Sequence, residues 1–169
     1  MARWEPRPAL LAISRTAGQH PNRTIAFGPD GLLYISIGST CNDCEENNPE
    51  SATLIRMKVD GTGREVVASG LRNTIGFAWQ TGTAALYGLD NGVDTFGDDE
   101  QPEELNRIQR GKKYGWPYIL GDGMKHPFAG AQKRHARRLG QIERQARFDL
   151  HSSCGVDAIV ICRSHQLTR

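Results

Sequence analysis

The sequence has no run of apolar residues approaching the roughly 20 that a membrane-spanning helix needs, so a helical span is excluded. Its first residues, Met-Ala-Arg-Trp-Glu-Pro-Arg-Pro and then Ala-Leu-Leu-Ala-Ile, offer about five apolar residues in a row where a signal peptide has roughly 7–15. Export is therefore not expected to be encoded in this chain. Cysteine is scarce: Cys41, Cys44, Cys154 and Cys162 are too few to define a disulfide scaffold. EF-hand spacing is missing, which removes that class of calcium loop. Lys and Arg are absent from Asp90 to Glu104, a stretch that carries seven carboxylates. Such a loop needs solvent, a basic neighbour or a cation to neutralise it.

What is present fits a folded domain. The chain has 169 residues, 38% of them apolar and 24% charged, which is ordinary for a globular protein with one core. Charge is distributed unevenly, because the last 46 residues hold nine Lys or Arg against three Asp or Glu while the rest is net acidic. Three regions are expected: an irregular lead-in over 1–17, an ordered region over 18–123, and a basic tail over 124–169. Within the tail, 132–148 has the composition of a basic helix and 156–162 that of one strand. An Arg-rich segment can neutralise phosphates, but this one lacks a recognisable fold or interleaved aromatics, so nucleic-acid binding is not expected. A frameshifted or otherwise foreign C-terminus explains the change in character better.

Order begins near Thr24. Thr24-Ile-Ala-Phe and Leu32-Leu-Tyr-Ile-Ser-Ile flank the turn Gly28-Pro-Asp-Gly31, the pattern of a β-hairpin. Leu54 to Val59 alternates apolar and basic residues up to an Asp60-Gly61 turn, and Glu65-Val-Val-Ala-Ser follows as a fourth strand. The pattern then starts again. Phe77-Ala-Trp, a turn at Gly82, and Ala85-Leu-Tyr-Gly-Leu match the first hairpin, with Trp79 52 residues after Phe27 and Tyr87 53 after Tyr34. A period near 50 built from short antiparallel strands reads as β-propeller blades, since one small sheet buries its faces only by stacking on neighbours. The fold class expected is all-β, about two blades of a propeller. Both copies end their second strand in a polar loop, at Gly38-Ser39-Thr40 and at Asp90-Asn91-Gly92. Trp79, Trp116 and Tyr87 are expected in core and interblade packing. Cys41-Asn-Asp-Cys44 is a lone C-x-x-C with too few ligands for zinc, which leaves a local disulfide or two free thiols.

Four anchors occur in order at blade spacing: Gln19-His20 before Arg23-Thr-Ile-Ala-Phe-Gly-Pro-Asp-Gly, Gly70-Leu-Arg-Asn, Asp90-Asn-Gly, and Glu104-Leu-Asn-Arg-Ile with Lys113-Tyr-Gly-Trp-Pro. Together they resemble the glucose/sorbosone dehydrogenase family, the soluble aldose sugar dehydrogenases that use pyrroloquinoline quinone (PQQ) on a six-bladed β-propeller. The resemblance implies oxidation of an aldose or sorbosone-like sugar at its anomeric carbon, with electrons passed to an acceptor, in a periplasmic or extracellular setting. It makes His20 the general base, a role that imidazole suits because its ordinary pKa leaves it able to accept a proton near neutrality. Gln19 falls where the family contacts the sugar. Ser39 stands where well-known members have the aspartate behind the base, and a hydroxyl there is expected to orient the ring without stabilising its charged form. Arg72 and Asn73 match the pair on the polar edge of PQQ, with Asn91 near the cofactor. The carbonyls of Gly92 and Val93 match one calcium site, and Glu104 with the Tyr114 carbonyl a second. The later blades lie outside the resemblance, so the fragment is expected to be inactive alone; the alternative is a non-catalytic, calcium-binding propeller fragment or interaction module.

Overall fold

The structure is a computed structural model that describes residues 18–93, 103–121 and 123–126. The lead-in, most of the acidic loop, and the helix and strand expected in the basic tail lie outside the described residues. All elements within them are strands. They are β1 (Ile25–Phe27), β2 (Leu33–Ile37), β3 (Thr53–Met57), β4 (Glu65–Ser69), β5 (Thr74–Trp79), β6 (Leu86–Asp90), β7 (Glu104–Ile108), β8 (Ile119–Leu120) and β9 (Met124–Lys125). No described helix is long and apolar enough to cross a membrane.

The first four strands form one antiparallel sheet in sequential order, and β5, β6 and β7 form a second. The meander follows from turn chemistry. Gly31 N–H donates to the Gly28 carbonyl at 2.9 Å, the Asp30 carboxylate accepts from Leu32 N–H at 3.1 Å, and Gly31 takes a φ of 74° that a side chain would oppose. A two-blade fragment is thus what the chain builds, with one difference from expectation. The second sheet has three strands among the described residues, where four were expected. A short hairpin, β8 with β9, continues the paired structure past Gly123 to Lys125, and His126 beyond it is buried.

The sheets stack through one apolar layer. Tyr34, Leu54 and Ala68 from the first meet Phe77, Leu86 and Ile108 from the second, around Leu71. Trp79 packs edge-on against Tyr34 with ring centroids 5.0 Å apart, which puts it in the interblade layer as its sequence position suggested. β2 is buried along its whole length, because Ile35 and Ile37 join Leu33, Ile55 and Met57 in a second cluster on the other face. This is the pattern of a strand with cover on both sides.

Polar contacts fix the sheets at one end. Thr24 Oγ1 donates to the Ile75 carbonyl at 2.6 Å, and Ser39 N–H donates to the Arg72 carbonyl at 2.7 Å. After β7 the chain returns to the outer edge of the first sheet, where Tyr114 N–H bonds Ser69 O at 2.9 Å and Trp116 N–H bonds Gly70 O at 3.1 Å. The return requires a glycine at position 70. Its φ is 73°, and a Cβ there would lie 2.9 Å from Gly115 N and 3.1 Å from Tyr114 N, both backbone atoms. Gly70→Ala should therefore cost roughly 1–3 kcal/mol in urea denaturation. An unchanged midpoint would mean that the returning segment can shift away from β4 without loss.

Candidate functional site

The site is assembled from the loops that leave the strands at this end: 38–46 after β2, 70–73 between β4 and β5, and 90–93 after β6. Asp90 is the keystone. It lies on the same face of β6 as Leu86 and Gly88 and is 6% exposed. Its Oδ2 accepts from Arg72 N–H at 2.8 Å, and its Oδ1 accepts from Asn73 N–H at 2.8 Å and from Thr74 Oγ1 at 3.1 Å. Burial pushes this carboxyl up to about 6, against the pull of the donors at Asn73, Thr74 and Arg72. One carboxylate thus sets the backbone of the Arg72-Asn73 pair.

Arg72 is 3% exposed. Its guanidinium is spread between two loops. Nε donates to Asn42 O at 3.0 Å and Nη2 to Asn42 Oδ1 at 2.6 Å; Nη1 donates to Asn91 O at 3.1 Å and to the Gly92 carbonyl. Its face lies over the Trp116 ring, 5.5 Å from the centroid. The fork that was expected to reach a cofactor carboxylate is directed at protein carbonyls. Physically, these carbonyls take the place of water around a buried guanidinium.

His20 lies next to this pair across the sheet boundary. Its Nδ1 is 2.9 Å from the Ser39 carbonyl. A carbonyl only accepts, so in the neutral ring Nδ1 carries the proton and Nε2 keeps the lone pair, the atom that a base uses. Ser39 does hold the ring, but through its carbonyl and not through the hydroxyl expected from sequence. That hydroxyl donates to Cys41 O at 2.8 Å and bonds the Glu46 carboxylate, which also takes Thr40 N–H at 2.9 Å and Thr40 Oγ1 at 2.7 Å. Gly38 permits the close approach: a Cβ there would be 2.6 Å from His20 Cβ and 3.1 Å from Asn73 Oδ1. Gln19 is exposed beside the ring, with its N–H on the Thr40 carbonyl at 2.9 Å.

The remaining candidates meet in one recess, lined in part by Arg72, Asp90, Asn91, Gly92, Glu104, Tyr114 and Trp116. Val93 lies just outside it, its side chain packed with Ala52, Trp116 and Leu120. Among the described residues, two buried polar atoms have no hydrogen-bond partner here, the acceptor Asn91 Oδ1 and the donor Trp116 Nε1. Buried polar atoms are normally paired, so these mark a position that a ligand would complete. The Gly92 carbonyl and, separately, the Glu104 carboxylate are oxygen donors of the kind a hard cation such as calcium takes, with Arg72 as the group that must withdraw from the Gly92 carbonyl. Arg72 and Asn73 are donors of the kind a polyanionic cofactor takes, but Asn73 lies outside the recess and the space enclosed there is far smaller than a planar tricyclic group.

Sequence reasoning missed Asp90, Trp116 and Asn42 as parts of the site. Asp90 was legible from the period-two pattern of Leu86-Tyr-Gly-Leu-Asp90, which puts the carboxylate on the core face at the strand's end. Nothing in the sequence marks Trp116 as a partner of Arg72. Cys41 and Cys44 form a disulfide, which resolves the two readings left open above, and with it formed the cluster of Cys41, Cys44 and Glu46 cannot offer thiolates to a metal.

Comparison with known proteins bears on the fold and the family. A solved structure from Thermus thermophilus, described as an oxidoreductase (glucose dehydrogenase), superposes with a TM-score of 0.52 at 29% identity, over 63% of this chain and 37% of that one. The calcium structure of a family AA12 carbohydrate-active enzyme from Trichoderma reesei has a TM-score of 0.51 at 20% identity, over 68% and 36%, and is similar in fold. A protein of Borreliella burgdorferi is 29% identical over 125 residues, 73% of this chain and 33% of its own length. The chain thus spans about a third of the relatives it matches. Residues 10–139 match the model of the Glucose / Sorbosone dehydrogenase family, and the chain belongs to that family.

Proposed function

We propose that the chain contributes one side of a PQQ-dependent site that oxidises an aldose or sorbosone-like sugar at its anomeric carbon. The observation that carries this reading is that His20 and the Arg72-Asn73 pair, 52 residues apart, converge at one end of two stacked sheets through Gly38 and Ser39. When bound, PQQ supplies the two-electron acceptor and calcium supplies the Lewis acid that polarises it. The chain's own residues do the rest. His20 Nε2 takes the proton of the C1 hydroxyl, with Nδ1 kept protonated by the Ser39 carbonyl. Gln19, exposed beside it, contacts the sugar. Arg72 and Asn73 hold the polar edge of the cofactor, and Asn91 Oδ1 gains the partner it lacks. Gly92 and Val93 carbonyls serve one calcium, while Glu104 and the Tyr114 carbonyl serve another.

A periplasmic or extracellular setting suits the reading, because a bridge such as Cys41–Cys44 is favoured where the surroundings are oxidising. The electron acceptor is then a partner outside this chain. The proposed domain is the 18–123 read from the sequence, carried on to His126 by the β8–β9 hairpin, with the rest of the basic tail outside it.

Binding and turnover separate this reading from a calcium-binding module without catalysis. The purified chain, titrated with PQQ in calcium chloride, should develop bound-quinone absorbance that a chelator abolishes. Dye reduction with glucose should appear only when the other blades are supplied. Calcium binding with no PQQ binding would favour the module, and binding of neither would sink both readings.

A further inference from the structure

The Cys41–Cys44 bridge encloses two residues, and the first of them, Asn42, meets the buried guanidinium at the centre of the site. Asn42 presents two acceptors at once. Its backbone carbonyl takes Arg72 Nε at 3.0 Å and its side-chain Oδ1 takes Nη2 at 2.6 Å. Two parallel acceptors fix the plane of a guanidinium as well as its position, which a single bond does not. The opposite edge rests on the main-chain carbonyls of Asn91 and Gly92, the second of which is assigned above to a cation. The edge on Asn42 therefore decides whether Arg72 stays over Trp116 when the other edge is released.

The loop that carries Asn42 has little else to hold it. Cys41, Asn42, Asp43 and Cys44 form no strand, and all four are half-buried. Its anchors are the disulfide, the bond from Ser39 Oγ to Cys41 O at 2.8 Å, and the contact of Asp43 Oδ1 with His126 Nε2 at 2.8 Å. A loop closed over four residues gives its enclosed side chains few alternative positions, and opening the bridge restores that freedom.

We propose that Asn42, held by the Cys41–Cys44 disulfide, is the positioning residue for the Arg72 guanidinium, so that the oxidation state of this bridge governs how Arg72 is presented to the cofactor. The redox step is an ordinary exchange with a dithiol. Two thiolate attacks transfer two electrons to the bridge, Cys41 and Cys44 take up two protons as thiols, and the dithiol leaves as its own disulfide. The functional half rests on the reading of Arg72 as a cofactor ligand; the structural half does not.

The test uses the full chain and reads the two halves separately. Phenylglyoxal, which modifies accessible guanidinium groups, is added to oxidised protein, to protein reduced with dithiothreitol, and to the Asn42→Ala and Asn42→Asp variants, and adducts are mapped by mass spectrometry. Arg72 should be protected in the oxidised protein. Its modification rate should rise about tenfold or more on reduction, which frees the whole loop, and in Asn42→Ala, which removes the charge-assisted bond to Oδ1 and leaves the single bond to the main-chain carbonyl. Asn42→Asp keeps both acceptors and should keep the protection, while Arg64, paired with Glu50 away from this loop, serves as the internal control for folding. An Arg72 rate that is unchanged by reduction or by Asn42→Ala, or that rises together with Arg64, overturns the proposal. PQQ in calcium chloride is then titrated against the same four samples. Weakening by about tenfold in the reduced and Asn42→Ala samples supports the functional half, and equal affinity in all four overturns it. If oxidised protein binds no PQQ, the cofactor reading and with it the functional half fail, and the protection data alone decide the positioning role.

Discussion

Asp90→Ala should destabilise the chain by roughly 2–5 kcal/mol at neutral pH, because two buried backbone N–H groups, at Arg72 and Asn73, and the Thr74 hydroxyl all lose their acceptor. Asp90→Asn should cost less, roughly 1–3 kcal/mol: its amide oxygen still serves one N–H, but its NH₂ must face the other. Urea denaturation measures both. The size follows from geometry, since each carboxylate oxygen is already committed to a main-chain donor and water has little access.

The same residue predicts a pH dependence whose sign is set by burial. The folded-state pKa is raised from 3.8 to about 6, so the folded chain binds the proton more tightly than the unfolded one. The stability this gives is fully present below the unfolded value and is lost as pH rises through about 6, a change of roughly 3 kcal/mol from end to end. The gap between wild type and Asp90→Ala should therefore widen as pH falls from 7.5 through 6 to 4.5. A gap that narrows instead would mean that the three donors outweigh desolvation, and that the carboxylate is held ionised.

How much of this was legible in the sequence depends on the kind of contact. The Pro-Asp-Gly turn, the β-branched runs and the repeat of Phe27 and Tyr34 as Trp79 and Tyr87 are local signals, and they place β1 to β4 and β6 within a residue or two, whereas β5 begins three residues before the expected Phe77. That the polar loops at Gly38-Ser39-Thr40 and Asp90-Asn91-Gly92 share one end followed from the repeat, since equivalent strand ends come out together. The wiring within the site did not follow. Ser39 was read through its hydroxyl because side chains carry the identity that sequence records, whereas the group that reaches His20 is a main-chain carbonyl common to every residue. Asn42 and Trp116 were invisible for a related reason. Each meets Arg72 only after a C-x-x-C loop and a returning segment have folded onto it from 30 and 44 residues away in sequence.

The two sheets have unequal roles in the site. The first carries His20 on a loop held by Ser39 and by the disulfide turn; the second carries Asp90, which sets the backbone of Arg72 and Asn73. His20 and the Arg72-Asn73 pair are thus fixed by different hydrogen-bond systems that meet at Arg72, through Ser39 N–H on its carbonyl at 2.7 Å and through the two Asn42 acceptors on its guanidinium. Damage to one side should leave the other in place, so a base variant can be told from a clamp variant.

That separation makes His20→Gln the sharpest test of the catalytic assignment. Glutamine has an amide NH₂ that can still donate to the Ser39 carbonyl, but it has no basic nitrogen. The measurement suits a chimaera in which residues 18–126 replace the matching stretch of the Thermus thermophilus glucose dehydrogenase, so that the other blades are present. With PQQ, calcium and glucose, kcat should fall by roughly 10²–10⁴-fold relative to the unsubstituted chimaera, the usual contribution of a positioned general base. Affinity for PQQ should be unchanged, because Asp90 and Arg72 are untouched. Arg72→Met should show the reverse order of effects, with PQQ binding lost first. If His20→Gln and Arg72→Met both lower PQQ affinity and leave kcat at saturating cofactor intact, His20 belongs to the cofactor's binding shell, and the proton of the C1 hydroxyl must go to a base on another blade.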